Sequence, residues 1–202
     1  MRTPSDGESS MNRDRLLDLF RSSGALLEGH FRLTSGLHSS GYLQCALVLQ
    51  YPEGAERLGR ALGERTRQLH PTVVLSPALG GVVIGHEVGR ALGVRAIFAE
   101  RQDGALTLRR GFSLDERDRV LVIEDVLTTG GSTRETMEVA RGAGGRVVGA
   151  ASIVDRSGGS IRFDVPFHAL LEVSLPAYQS ATCPLCAQGV PIVKPGSRPT
   201  LV

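Results

Sequence analysis

The chain has 202 residues, with 23 Lys plus Arg against 21 Asp plus Glu and a formal net charge of +2. That length suits one globular domain with a small appendage, and the near balance of charge argues against a general nucleic-acid binder. No apolar run approaches the roughly 18 residues that a membrane-spanning helix needs. The first ten residues, MRTPSDGESS, lack the apolar core of a signal peptide, so a cytoplasmic location is expected. Lys194 is the single lysine, which leaves anion contacts in the body of the fold to arginine, histidine and backbone.

Residues 1–11 are small and polar and are expected to be disordered. Leu16, Leu17, Leu19 and Phe20 predict a short amphipathic helix over 12–23, ended near Gly24. The chain then turns extended from Ala25 to Cys45, around a polar turn at Thr34–Ser40. Pro52 to Leu69 reads as a helix with Ala55, Leu58, Leu62 and Leu69 on one face. Val73–Leu75 is a short buried strand, followed by a glycine turn, Ser76–Gly81, and a helix over 82–92. Such a turn can bring backbone amides against a diphosphate, or be only a tight connection. Val94–Phe98 is the next strand. Residues 99–119 are highly charged with little apolar periodicity, as in a functional loop or a charged surface hairpin.

Val120–Ser132, VLVIEDVLTTGGS, carries the most chemistry. Its apolar start suits a strand buried on both faces of a parallel sheet, and it ends in the adjacent carboxylates Glu124 and Asp125. Thr128-Thr129-Gly130-Gly131 forms a small-residue loop, and Ser132 with Glu135 has the spacing of a capping box. A loop entering a helix N-terminus aims backbone amides at one point and favours an anion there. The carboxylates suit hydroxyl groups or a metal, so the pattern fits a ribose 5-phosphate. Neither a Walker loop nor a G-x-G-x-x-G fingerprint is present. Downstream, Gly144-Gly145 ends the helix, Arg146–Val154 is a strand with Asp155-Arg156 at its carboxyl end, and Phe167–Val173 is the last strand. Arg156 thereby falls on the ligand-binding edge of an open α/β sheet. Of the three cysteines, Cys183 and Cys186 have knuckle spacing. No second pair stands at zinc-finger distance; they read as buried or surface thiols, or as a half-site that a second subunit would complete, and no metal is assigned to them.

The stretch Val120–Ser132 closely resembles the 5-phosphoribosyl 1-diphosphate motif of type I phosphoribosyltransferases. The segment FRLTSGLHSSGY, ending at Tyr42, is similar to the hood segment of the orotate phosphoribosyltransferases. The resemblance implies an α/β fold: a central, mostly parallel sheet flanked by helices, with a small N-terminal hood. It implies a single domain over 12–176, its hood largely from 24–50 and a mobile loop over 99–119. Residues 177–202 remain as an irregular tail.

By the same resemblance, the donor is held by Arg101, Glu124, Asp125, Val126, Leu127, Thr128, Thr129, Gly130, Gly131, Ser132 and Gly80. Arg101, Glu124 and Asp125 are the implied catalytic residues, and Thr128, Arg156 and Tyr42 the implied contacts to orotate. Mg²⁺ is the implied cofactor, bound mainly through the donor's diphosphate and ribose hydroxyls. A homodimer is the implied assembly, with no nucleic-acid or membrane partner. The family commonly has lysines where this chain has Thr34 and Gly80, and lysines and a histidine in the mobile loop. Arg109 and Arg110 are the substitutes at hand. A purine-base phosphoribosyltransferase, or a regulator of the same fold that binds RNA or DNA, are the alternatives.

Overall fold

The computed structural model describes residues 11–33 and 35–194. The contact expected at Thr34 and nearly all of the tail expected over 1–11 lie outside these. Helix α1, Arg13–Ser22, opens on Asn12, whose side chain accepts a hydrogen bond from the Arg15 amide at 3.0 Å. Leu16 and Phe20, one turn apart, are its fully buried residues. Strands β1, Leu26–Arg32, and β2, His38–Leu43, form an antiparallel hairpin. The polar turn expected over 34–40 is therefore shorter, because His38 and Ser39 already pair with Arg32 and Phe31 of β1. A single-turn helix α2, Ala46–Leu49, leads into α3, Pro52–Thr66, and a 3₁₀ turn over Arg67–Leu69.

Strand β3, Val73–Pro77, then α4, Gly80–Leu92, and β4, Arg95–Gln102, make the first parallel crossover. The Ala78–Leu79 peptide between β3 and α4 is cis. Strand β5, Ala105–Leu108, folds back antiparallel on β4. Strand β6, Arg119–Leu127, helix α5, Gly131–Gly142, and β7, Arg146–Asp155, make the second crossover. Strand β8, Phe167–Glu172, closes the sheet in the order β5-β4-β3-β6-β7-β8, parallel except for β5.

The period of two along the strands sorts side chains between two cores. Leu121 and Ile123 of β6 join the cluster beneath α1, α3, α4 and the hood, whereas Val120 and Val122 join Met137 and Ala140 of α5. All four are fully buried. Each contributes about 1.5–3 kcal/mol by leaving water, so a one-residue slip in register is strongly opposed. This is what holds the end of β6 in place.

Two expectations are corrected here. Residues 99–119 are not one loop: Ala99–Gln102 continue β4 and pair with Ala105–Leu108. The edge of the sheet accepts this ribbon because Ala99 and Leu106 bury their side chains in the core beside α5. Among the described residues, the segment 177–194 is not wholly irregular either. Strand β9, Ala177–Tyr178, pairs with β2, so the hood is a three-stranded sheet in the order β1-β2-β9. A 3₁₀ turn over Ser180–Thr182 and helix α6, Pro184–Ala187, follow, and Val193 bridges to Phe31 of β1. This tail pairs through backbone, which its Pro-rich composition did not disclose.

Candidate active site

Strand β6 runs on through Glu124 and Asp125 to Leu127, carrying both carboxylates to the carboxyl edge of the sheet. Glu124 is buried at 6% exposure. The Ser132 hydroxyl donates to its Oε2 at 2.8 Å and the Asp125 amide to its Oε1 at 3.2 Å. Asp125 is less buried, and its Oδ1 accepts from the Val126 amide at 2.8 Å. Gly80, at the start of α4, packs directly against it: a Cβ there would lie 2.9 Å from each Asp125 carboxylate oxygen. A side chain at Gly80 would crowd the carboxylate, so the bare glycine lets the start of α4 lie directly against Asp125.

Thr128 and Thr129 are exposed, and Gly130 turns the chain into α5 with φ of 76°. That left-handed conformation favours glycine, and a Cβ would meet Ile161 at 3.0 Å. The first amides of α5 have no intrahelical partner and point out of the helix start beside the acidic pair. The expected capping box does not form. Gly130 is the N-cap, with no side-chain cap hydrogen bond, because Ser132 turns to Glu124 and Glu135 turns away to the β4–β5 ribbon. The freed loop amides suit an anion such as a phosphate.

Arg156 follows β7 directly, and its amide donates to the Leu127 carbonyl at 2.8 Å, extending the β6–β7 pairing. Its side chain is half-buried, with Nε shielded from solvent and lacking a hydrogen-bond partner. Burial pushes the guanidinium below its ordinary value, opposed by the nearby Cys45 and Tyr42. The hood therefore brings Tyr42 within electrostatic range of Arg156, although the two are far apart in sequence. Tyr42 is held from behind by Phe31, with ring centroids 5.9 Å apart. An aromatic ring and a desolvated planar cation sit at the same sheet edge as the acidic pair and the loop before α5. Together they suit a flat, anionic base.

The comparisons with known proteins agree on this reading. A phosphoribosyl transferase domain matches residues 47–167. An orotate phosphoribosyltransferase of Pelotomaculum thermopropionicum is 54% identical over 93% of this chain and 99% of its own length. One from Heliobacterium modesticaldum is 55% identical over 93% of this chain and 100% of its own length. The chain belongs to the orotate phosphoribosyltransferases. As such it is a pentosyltransferase of pyrimidine biosynthesis. A solved orotate phosphoribosyltransferase of Mycobacterium tuberculosis has a TM-score of 0.67 and 25% identity, over 80% of this chain and 96% of its own. The same enzyme solved with 5-phospho-alpha-D-ribosyl 1-diphosphate has a TM-score of 0.64 and 26% identity, over 79% of this chain and 95% of its own.

In this orotate phosphoribosyltransferase the basic residues of the 99–119 segment are differently engaged. Arg101 pairs with Glu135 of α5 at 2.7 Å and its guanidinium also donates to the Gly104 carbonyl. Glu135 additionally accepts from the Leu106 amide at 2.8 Å, which with Arg101 holds its carboxyl below the usual range. Arg101 is therefore drawn onto α5 rather than into the acidic pair. Arg110 makes a bidentate pair with Glu100, at 2.8 and 2.7 Å. Arg109 is exposed; its carbonyl accepts from the Phe112 amide at 2.9 Å, and its guanidinium acts on Glu100 only through its charge among the described residues.

Two neighbours of the site have roles that local sequence does not show. Cys45 is fully buried under the acidic pair, its Sγ 3.9 Å from the Asp125 carbonyl. Burial, then the charges of Asp125 and Glu124, pushes its thiol well up, so it serves as a small neutral filler. Glu135 has only the spacing of a capping residue in sequence, whereas in the fold it holds the β4–β5 ribbon.

Glu124 itself yields a pH prediction. Burial foremost, with the charge of Asp125 adding and the Ser132 hydroxyl opposing, pushes its carboxyl from 4.5 up to about 8. The folded state thus holds the proton more tightly than the unfolded chain does. The stability this represents is fully present below the ordinary carboxyl range and is lost as pH rises toward about 8. Glu124→Gln, which stays neutral, is expected to melt higher than the parent at alkaline pH and to converge with it at acid pH. Parallel melting curves against pH for the two proteins would overturn this.

Proposed function

We propose that this site transfers the ribose 5-phosphate of 5-phosphoribosyl 1-diphosphate to orotate, giving orotidine 5′-phosphate and diphosphate. The observation that carries the reading is the buried, unpartnered Nε of Arg156 beside Tyr42, one strand over from the acidic pair and its phosphate loop. A purine base has no carboxylate for that guanidinium. The bond from C1′ to the diphosphate oxygen breaks as the bond from C1′ to the orotate nitrogen forms. Positive charge grows on the sugar ring, so catalysis lies in positioning and charge stabilisation.

Thr128, Thr129, Gly130, Gly131 and Ser132 hold the 5-phosphate through the amides at the start of α5. Glu124 and Asp125 take the 2′ and 3′ hydroxyls, with Val126 and Leu127 forming the wall beneath the sugar. Thr128 and Arg156 take the orotate carboxylate, and Tyr42 its face. The amide of Gly80 faces the diphosphate. Mg²⁺ is the cofactor we assign. The oxygen-only donors of the acidic pair fit a hard cation that keeps water and diphosphate oxygens in its shell. When bound, it neutralises the charge of the leaving diphosphate.

The ribbon and turn over 99–119 close over the diphosphate and exclude water from the donor. Arg109 is free to meet the diphosphate as they do so, and Arg101 reaches it by exchanging Glu135 for phosphate oxygens. Arg101→Ala is expected to lower turnover about 10- to 100-fold, the worth of one charge-assisted hydrogen bond. Its melting temperature should hardly change, since exposed ion pairs contribute about 0–1 kcal/mol. Near-parental turnover would sink the assignment of Arg101.

The active form is a homodimer in the cytoplasm that needs no nucleic acid or membrane; sedimentation at working concentration checks the assembly. No helix among the described residues is long and apolar enough to cross a membrane. The deciding experiment follows orotate consumption by ultraviolet absorbance with donor and Mg²⁺, with adenine, hypoxanthine and xanthine as parallel acceptors. Turnover with orotate alone is expected. Turnover with a purine instead would overturn the role of Arg156, and donor binding without turnover on any base would point to a regulator.

A further inference from the structure

The hood hairpin and the C-terminal tail meet at a cluster that the transfer chemistry does not use. His30 of β1, His38 of β2, and Cys183 and Cys186 around α6 direct one ligand atom each at a common point, all within 4.8 Å of one another. His30 Nε2 lies 3.0 Å from His38 Nδ1, 3.5 Å from Cys183 Sγ and 3.8 Å from Cys186 Sγ. Cys186 Sγ is 3.3 Å from His38 Nδ1. Zinc in a tetrahedral site sits about 2.0–2.1 Å from nitrogen and about 2.3 Å from sulfur, which places its ligand atoms roughly 3.3–3.8 Å apart. Three of these four distances fall within that range, and the His30–His38 pair is a few tenths of an ångström short of it, so small side-chain shifts would complete such a tetrahedron.

The hydrogen bonding around the cluster points the same way. His30 Nδ1 lies 2.8 Å from the Val190 carbonyl, which can only accept, so the ring proton belongs on Nδ1. Its Nε2 lone pair then faces the cluster. A backbone carbonyl on the far nitrogen is the arrangement that orients metal-bound histidines. His30, His38 and Cys183 are more than nine-tenths buried, and both cysteines are free thiols rather than a disulfide. Thiols are weak hydrogen-bonding groups, so the four polar groups are poorly satisfied by one another alone.

We propose that His30, His38, Cys183 and Cys186 bind one zinc ion in a closed structural site that staples the C-terminal tail to the hood. Two soft sulfurs and two imidazoles at tetrahedral spacing select zinc among common metals, and four protein ligands leave no open position for catalysis. Binding forms two Zn–S and two Zn–N bonds, and both thiol protons leave to solvent.

The staple answers a physical need. Strand β9 has only two residues, and the rest of the tail is tied to β1 by the Arg32 and Val193 amides, each at 2.8 Å from its carbonyl partner. So little buried surface does not order a segment by itself, whereas metal-binding free energy is folding free energy. The same hairpin carries Tyr42 toward the orotate position, so the ion would also steady the wall of the active site.

The test uses the full chain, purified without added metal or an affinity tag. Mass-spectrometric metal analysis is expected to find about one zinc per chain. Exchange with Co²⁺ should give the strong visible bands of a tetrahedral ion and thiolate-to-cobalt charge transfer. Cys186→Ser, at the exposed ligand, should lose most of the zinc and weaken that charge transfer while the protein remains folded by circular dichroism. Parent protein that lacks zinc and gives only the weak bands of octahedral Co²⁺ would overturn the site. Zinc retained unchanged in Cys186→Ser would overturn this ligand set, and another metal at full occupancy would overturn the choice of zinc.

Discussion

Asp125→Asn is expected to lower turnover at saturating orotate and donor by roughly 10²–10³-fold, the usual loss on removing one preorganised charge from a transition-state site. Asparagine keeps an oxygen for the Val126 amide, now 2.8 Å from Oδ1, and fits the same space beneath Gly80. The local backbone should therefore survive, and the change is one of charge against a sugar that turns positive. Because that charge develops in the transition state, kcat should fall more than donor affinity does. Steady-state kinetics, with donor affinity from calorimetry, separates the two effects. A kcat near the parental value would take Asp125 out of the chemistry.

Arg156→Ala is expected to raise the KM for orotate by about 10- to 100-fold, as the loss of about 1.5–3 kcal/mol of charge-assisted hydrogen bonding requires. Donor binding should stay intact, because the loop proposed to hold the phosphate and the acidic pair lie on β6 and at the start of α5 rather than on the segment after β7. Arg156→Lys should rescue little, since an ammonium offers a point charge where the planar fork meets a carboxylate at two points. The alanine variant should also lose discrimination against bases that lack a carboxylate. An unchanged KM for orotate would show that the buried Nε serves another purpose and would return the purine reading to contention.

Much of this enzyme could be read from local pattern. The Val120–Ile123 run, ending in Glu124 and Asp125, marked a doubly buried strand with its chemistry at the carboxyl end, and β6 has that form. The helices expected over 12–23, 52–69 and 82–92 from apolar spacing and turn residues form over 13–22, 52–66 and 80–92, the last taking in the two glycines read as turn. In each case the determining interactions lie within a few residues, so the linear pattern contains them. The pairing of Ser132 and Glu135 failed for the opposite reason: each found a better partner across the fold, in Glu124 and in Arg101 with the Leu106 amide. Backbone pairing likewise turned the charged 99–108 stretch into a ribbon and the Pro-rich tail into the third strand of the hood.

The sequence by itself determined the two-sided burial of β6, the glycine-bearing loop before α5 and the carboxylates between them, because periodicity and turn chemistry are short-range. Only the tertiary structure decided that Tyr42 and Cys45 stand at Arg156, that Arg101 is drawn onto α5, and that His38 meets Cys186, 148 residues away. Those contacts are set by which elements pack together. Spacing along a chain carries no record of it when the partners come from opposite ends of the fold.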